Sequence, residues 1–437
     1  MASAAATLAA PRTGMRHAAI LLVTLAVLAG SAARYVLSPM QELVRADLGL
    51  DDNHVALLQG MSIALPTALL SIPLGRLVDR THRARLLVLL AVACAAGSLL
   101  TAVASGFAAA FCARMLVGAA VIAAQPTALS LVADLTAPTE RGRMITLVSV
   151  GQALGGSLGY AMAGPLLKWL PAGLAAAGVA SSMAPWRLVL LAACAGVIAS
   201  TVALLFLREP ERREIGAASG ASLRAALREL SSYRGFLLPL AGGMVTVGMA
   251  DAAAAIWAVP VLTRGFHQKP EDFGAWLGLV NLVANFAGAV LGGWMADWGQ
   301  RRGGRAGALL GALIGAALSI PAAFYPVMPD VTSFALAMGL FLTCGAWVSI
   351  AALSSVMVVL PNELRGTFIG VLVAAIGLTA YGIAPLLVSL GARAVDRHAS
   401  IAVSLTAVGL ASSVMGTLSF VAALRAARAR VRAGDAA

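Results

Sequence analysis

Gly75-Arg-Leu-Val-Asp79-Arg80-Thr-His82-Arg83-Ala-Arg85 is a short, densely charged turn set between two long apolar runs. A related turn, Gly293-Trp-Met-Ala-Asp297-Trp-Gly-Gln-Arg301-Arg302, follows with its Gly and its Asp each offset from the first by 218 residues. That is half of a 437-residue chain, so the sequence reads as two copies of one unit. A second pair of loops repeats as well: Pro138-Thr-Glu140-Arg141-Gly142 and Pro361-Asn-Glu363-Leu-Arg365-Gly366 begin two later apolar runs alike.

Hydrophobic residues make up 60% of the chain and charged residues 11%, against roughly 45–50% and 25% in soluble domains. A soluble fold could not hide that much apolar surface, so the chain is read as an integral membrane protein. Runs near 20 residues span a ~30 Å hydrocarbon core as helices, and continuous runs exclude a barrel. Twelve spans are expected, near 17–39, 54–78, 84–104, 108–134, 143–167, 186–207, 236–262, 272–297, 306–325, 331–358, 366–392 and 399–424. The fold class is thus all-α, with a first six-helix bundle at 1–207, a linker at 208–235 and a second bundle with a short basic tail at 236–437. Within the linker, Ser222 is placed to cap a helix bearing Leu223, Leu227 and Leu230 on one face, expected to lie on the membrane surface.

With both termini on the cytoplasmic side, Lys and Arg near the loops divide twenty-two inside to eight outside. That is the positive-inside asymmetry of a multi-pass inner-membrane protein. The net charge of +12 is therefore a topology signal facing anionic lipid and gives no reason to expect nucleic acid. Cys94, Cys112, Cys194 and Cys344 are scattered singly, with no metal spacing, and no cleaved signal peptide is evident at Ile20–Leu28. The five His residues fall at span ends or loops; with no nucleotide loop or nucleophile–base arrangement, an enzyme, a cofactor and a bound metal are not expected.

The pattern Gly75-x-Leu77-x-Asp79-Arg80-x-x-Arg83 resembles the loop 2–3 motif of the major facilitator superfamily (MFS), and Gly293…Asp297…Arg301 its degenerate second copy. His82 stands where that family usually has Gly. Within the superfamily the chain is most similar to the spinster family and its bacterial relatives. The matching text is Asp47-Leu-Gly49-Leu, Leu57-Leu-Gln-Gly60, Ser71-Ile-Pro-Leu-Gly-Arg-Leu-Val-Asp-Arg80, Arg114-x-x-Val117-Gly118 with Pro126, Trp186-Arg187, Leu207-Arg-Glu-Pro210 and Trp257-x-x-Pro260-x-x-x-Arg264. The resemblance implies two pseudo-symmetric six-helix bundles working by alternating access. Gly75, Asp79, Arg80, Arg83, Glu140, Arg141, Gly293, Asp297 and Arg301 are then read as gating residues that hold and release the cytoplasmic ends of the two halves. The glycines of the fifth span, Gly151, Gly155, Gly156, Gly159 and Gly164, read as close helix packing or as a partial antiporter motif.

Two acids that the resemblance leads one to expect are missing. Ala33 replaces the acid before Arg34, and Gly118-Ala-Ala-Val121 replaces a Gly-x-Gly-Glu pattern. Asp251 lies 218 residues beyond Ala33, so the acid absent from one half stands at the matching place in the other. An ionisable group at membrane depth faces a cavity and a partner by default. Arg34 is the expected partner of Asp251, with Arg114 second, and a proton or the substrate would compete for the pair. Two arginines against one acid suit an anionic group. Gln125, Asn281 and Asn285 would add neutral hydrogen bonds, and Tyr35, Trp257, Trp347 and Tyr381 an apolar wall. The expected function is secondary transport of a small amphipathic organic anion, lipid-like in its apolar part, by a monomer in the bilayer, as a symporter or antiporter with protons as the coupling ion. The rival readings are an uncoupled facilitator or exchanger and a non-transporting receptor or scaffold.

Overall fold

Helices form at every one of the twelve expected places, because a backbone in lipid must satisfy its own hydrogen bonds. The computed structural model describes residues 13–137, 140–178, 182–207, 209, 223–395 and 400–432. The helices are α1 (Thr13–Tyr35), α2 (Ser62–Arg80), α3 (Arg83–Val103), α4 (Phe107–Leu135), α5 (Arg141–Ala176) and α6 (Pro185–Leu204), then α7 (Arg234–Pro260), α8 (Pro270–Gly307), α9 (Leu309–Ala322), α10 (Val331–Val359), α11 (Asn362–Ile376) and α12 (Ser400–Arg432). Beyond Ile376, α11 runs through a widened turn at Gly377–Ile383 into a last helical stretch, Ala384–Ala394. Among the described residues, ten helices are long and apolar enough to cross a membrane; α2 and α5 are the two helices outside that set.

The internal repeat reappears as packing. In the first half α2 packs on α4, α3 on α4 and α6, and α1 on α6. In the second half α8 packs on α10, α9 on α10 and α12, and α7 on α12. Each contact of one set becomes a contact of the other when six is added to both helix numbers. The halves meet along two seams, α5 with α8 and α2 with the widened turn of α11. These seams are also exchanged by the repeat.

Small residues explain how the seams close. Gly164 lies against the backbone of Pro270 and Glu271, Gly274 against Tyr160 and Gly164, and Gly278 against Ser157 and Ala161. In the other seam Gly60 lies on the Tyr381 carbonyl, and a Cβ there would collide with it. Pro385 accounts for that carbonyl's position: proline has no N–H to give to the residue four before it. The Gly-rich face of α5 serves two neighbours, since Gly151, Gly155 and Gly159 pack on α1 at Thr24, Leu28 and Ala32.

The linker helix forms at Leu223–Ser232. Its Leu230 is buried in a cluster with Phe236, Leu364 and Leu424, so this end of the helix docks on the second half. The expected cap, Ser222, lies outside the described residues.

Candidate functional site: a cavity between the halves

The two seams meet at one end of the molecule, the end that carries Glu42, Asp52 and Arg264. There the Arg264 guanidinium is clasped by two carboxylates from the first half. Its Nε and one Nη donate to Glu42 at 3.0 and 2.7 Å, and its two Nη atoms donate to Asp52 at 3.0 and 2.7 Å. Arg393 pairs with Asp51 at 2.6 Å, and Asn53 and Ser389 hydrogen-bond at 2.6 Å. Deeper in, Gln41 donates to the Ile256 carbonyl at 2.6 Å while accepting from Gln59 at 3.2 Å. Pro260 stands four residues after Ile256 and has no N–H to offer it. Gln41, buried at 2% exposure, supplies the missing donor from the other half of the chain.

Above this floor lies a cavity with two lobes. One, of about 340 Å³, lies along α5, α7 and α8 and is lined by Tyr35, Ser149, Gln152, Tyr160, Asp251, Asn281 and Asn285. The other, of about 460 Å³, lies along α2, α4 and α11 and is lined by Arg34, Gln125 and mainly apolar residues, among them Ile63, Val121, Val373 and Ile376. Gln152 and Tyr381 line both lobes and mark their junction. Tyr160 donates its hydroxyl to the Ala255 carbonyl at 3.1 Å and ties α5 to α7 beside the first lobe.

Seven of the ten proposed substrate residues thus face the cavity: Arg34, Tyr35, Gln125, Asp251, Asn281, Asn285 and Tyr381. Arg34 and Asp251 do not meet. No ion pair within 4.0 Å joins them; instead the Arg34 guanidinium carbon sits 4.9 Å from the Tyr35 ring centre and 5.5 Å from that of Tyr381, with Nε lacking an acceptor. Asp251 lies against Gly345 of α10, and a Cβ at 345 would push its carboxylate out of the position it holds.

The other three residues are elsewhere. Arg114 is 2% exposed and donates to the Arg34 carbonyl at 2.8 Å, bracing α1 from behind instead of facing the cavity. Trp257 is fully buried and donates to the Pro385 carbonyl at 3.0 Å. Trp347 is buried among Gly288, Gly292 and Gly315. All three contribute packing. Among the polar cavity residues, Ser149, Gln152, Ser157 and Tyr160 on α5 and Thr67 on α2 escaped the sequence reading. On α5 the signal was a row of polar groups beside the glycines, a stretch read as close packing or as a partial antiporter motif without a role for the polar groups.

The residues read as a gate lie at the opposite end from the seal. Arg83 is 3% exposed; it pairs with Asp134 of the first half and, at 3.1 Å, with Glu209 at the start of the linker. In this conformation it braces its own half and does not bridge to the second. Asp297 and Arg301 are exposed near the end of α8, which breaks at Gly303 and Gly304, the latter at φ +59°. Glu140 is exposed, Arg141 partly buried and Gly293 partly buried. Gly75, Asp79 and Arg80 are helical in backbone, and the side chains of Asp79 and Arg80 lie outside the described residues.

The family model described as the Major Facilitator Superfamily matches residues 23–385. The chain belongs to the major facilitator superfamily. This MFS transporter is 28% identical over 336 residues to a triacylglyceride transporter of Mycolicibacterium smegmatis, covering 65% of this chain and 58% of that one. It is 32% identical over 168 residues to another triacylglyceride transporter, from Mycolicibacterium hassiacum, covering 37% and 30%. The chain therefore spans less than two thirds of the length of these curated relatives. Its fold matches a bacterial homolog of the human lysosomal transporter Spinster in an inward-facing, unoccupied conformation, with a TM-score of 0.82 at 19% identity over 96% of this chain and 98% of that one. A D-xylose–proton symporter matches at a TM-score of 0.68 and 17% identity, covering 92% and 97%.

Proposed function

We propose that the chain carries a small amphipathic organic anion across the membrane by alternating access. The halves 1–207 and 236–437 would rock about the cavity, with 208–235 as their tether. The observation that carries this reading is Arg34: a guanidinium in the wall of a cavity closed at one end, flanked by two tyrosine rings and matched by no carboxylate. A buried cation without a counter-ion is costly, and an anionic ligand relieves that cost. The solute's charged group would sit at Arg34, its apolar body along Ile63, Val121, Val373 and Ile376, and its neutral polar atoms near Gln152, Asn281 and Asn285. Asp251, unpaired in the neighbouring lobe, is the candidate group for coupling transport to a cation gradient.

The termini are proposed to be cytoplasmic, from the arginine asymmetry. The seal at Arg264 then closes the outer face and the cavity opens inward, in keeping with the inward-facing state of the Spinster-like structure. The test is a ligand panel of alkyl carboxylates, alkyl phosphates and neutral alkyl glucosides, scored by thermal stabilisation of the purified protein. Anions should stabilise wild type and lose that effect in Arg34→Ala; equal stabilisation by the neutral glucosides refutes the assignment. Uphill accumulation of a stabilising anion in proteoliposomes separates a coupled transporter from a facilitator or a receptor.

A further inference from the structure

Behind the Asp251 carboxylate, inside the second half, is a second and much smaller chamber. Its volume is about 10 Å³, and Asp251, Ser319, Ser413, Cys344 and Gly345 line it together with apolar residues of α7 and α10. That is room for one water-sized particle. We propose that this chamber is a binding site for a single monovalent cation, with sodium favoured by its donors. The assignment deepens the transport reading by naming the coupling ion, and rests on that reading for the ion's role though not for its binding.

The oxygens are arranged as acceptors. Ser319 is 6% exposed and spends its hydroxyl proton on the Ala316 carbonyl at 2.7 Å, which leaves its lone pairs for the chamber. Ser413, from α12, is 1% exposed and its Oγ has no partner, so a buried hydroxyl lines the chamber with its hydrogen-bonding capacity unspent. Asp251 supplies one negative charge and makes no ion pair or hydrogen bond among the described residues. One carboxylate and two hydroxyls offer hard oxygens and a single negative charge, which favours a monovalent ion over calcium with its six to eight oxygen ligands; the Cys344 thiol beside them is a soft group. Gly345 makes the arrangement possible, because the carboxylate occupies the space where a side chain would be.

The chamber is not a requirement of the fold. At the repeat partner of Asp251, Ala33 is 1% exposed and packs with Cys94, Ala95 and Val117. The acid belongs to the second half, and its repeat position in the first half is filled by a packed alanine. Asp251 also lines the 340 Å³ lobe, so the carboxylate is the wall between the solute's space and the ion's. An ion drawn against Asp251 would change the charge met by a solute in the lobe, which is the linkage a coupled carrier needs.

The test is sodium-dependent thermal stabilisation of the detergent-purified full chain at pH 8, with choline chloride holding ionic strength constant and potassium chloride as a second arm. Sodium should raise the melting temperature saturably, by about 2 °C at tenfold saturation, and Asp251→Asn should abolish the effect. Ser413→Ala removes one neutral ligand with little change in volume and should weaken apparent affinity at least tenfold while the protein still melts cooperatively. Equal effects of choline and sodium, or an undiminished sodium effect in Asp251→Asn, overturn the site. A melting temperature that responds to pH but not to sodium also overturns it and leaves the chamber to a water beside a protonated acid. Sodium binding without uphill solute transport would sink the transporter reading and leave the site standing; transport indifferent to sodium, with no melting shift, would do the reverse.

Discussion

Removing Arg264 should loosen the sealed end of the cavity by an amount that can be worked out from its contacts. The guanidinium makes four hydrogen bonds of 2.7–3.0 Å to Glu42 and Asp52. The three side chains are 31%, 15% and 25% exposed, so water screens the clasp in part. Exposed ion pairs contribute about 0.2–1 kcal/mol each. Two bidentate pairs at this depth should reach the upper end, about 2 kcal/mol in total, or roughly a 30-fold shift in the balance between sealed and unsealed states. Ala56 is 0% exposed and packs among residues of the second half in the seam below, so Ala56→Cys reports on opening. With exposed Cys112 replaced by serine, the alkylation rate of Ala56→Cys by a membrane-impermeant maleimide should rise by about that factor in Arg264→Gln. Glu42→Gln with Asp52→Asn should give a similar rise, and combining all three should add little, because partners in one network are not additive. A rate changed less than twofold, or effects that simply multiply, would refute the clasp as what holds this face shut.

Arg83→Gln should lower stability by about 3 kcal/mol, since it strands the buried Asp134 carboxylate without a counter-charge; the check is the loss in melting temperature, with recovery when Asp134→Asn is added. Gly278→Leu places a side chain against the Ser157 carbonyl and Ala161 across the α5–α8 seam. It should leave folding intact and favour the unsealed state, raising Ala56→Cys alkylation, whereas Gly155→Leu, facing Leu28 within one half, should lower the melting temperature instead. The Asp51 carboxyl is held below its ordinary 3.8, first by the backbone N–H of His54 and then by Arg393. A lowered value means that its contribution is complete above pH 3.8 and fades as pH falls further, so Asp51→Asn should lower thermal stability at pH 7 by that whole contribution, converge with wild type as pH falls below 4, and so flatten the acid limb.

The architecture was legible because hydropathy and a repeat of constant offset are one-dimensional signals. The same offset led to Asp251, and Arg34 followed from the cost of a cation at membrane depth. Where sequence reasoning fell short, the missing information was which neighbour each helix face meets. Trp257 and Tyr381 have similar hydropathic contexts, yet one caps a carbonyl inside the second half and the other stands between the cavity lobes. Arg114 looked like a second substrate ligand because burial and charge suggested a ligand; its acceptor is a backbone carbonyl, which sequence does not advertise. The seal at Glu42, Asp52 and Arg264 was missed for a related reason. Its members belong to short helical elements far apart in the chain, Gln41–Asp47, Asp52–Ala56 and Val261–Gly265, outside the repeated loops that guided the reading.

The bond between Gln41 and Ile256 has a consequence for how readily the molecule changes state. A contact built from interlocked apolar side chains loses its packing when it parts and gains little from the water that enters. Here the acceptor is a carbonyl already relieved of its helical partner by Pro260, and the donor is an amide. When the halves separate, water can hydrate both, and when they close again each regains the other. The floor of the cavity is thus an exchange of one hydrogen-bond partner for another, nearly balanced in free energy, and suited to being broken and remade in every cycle.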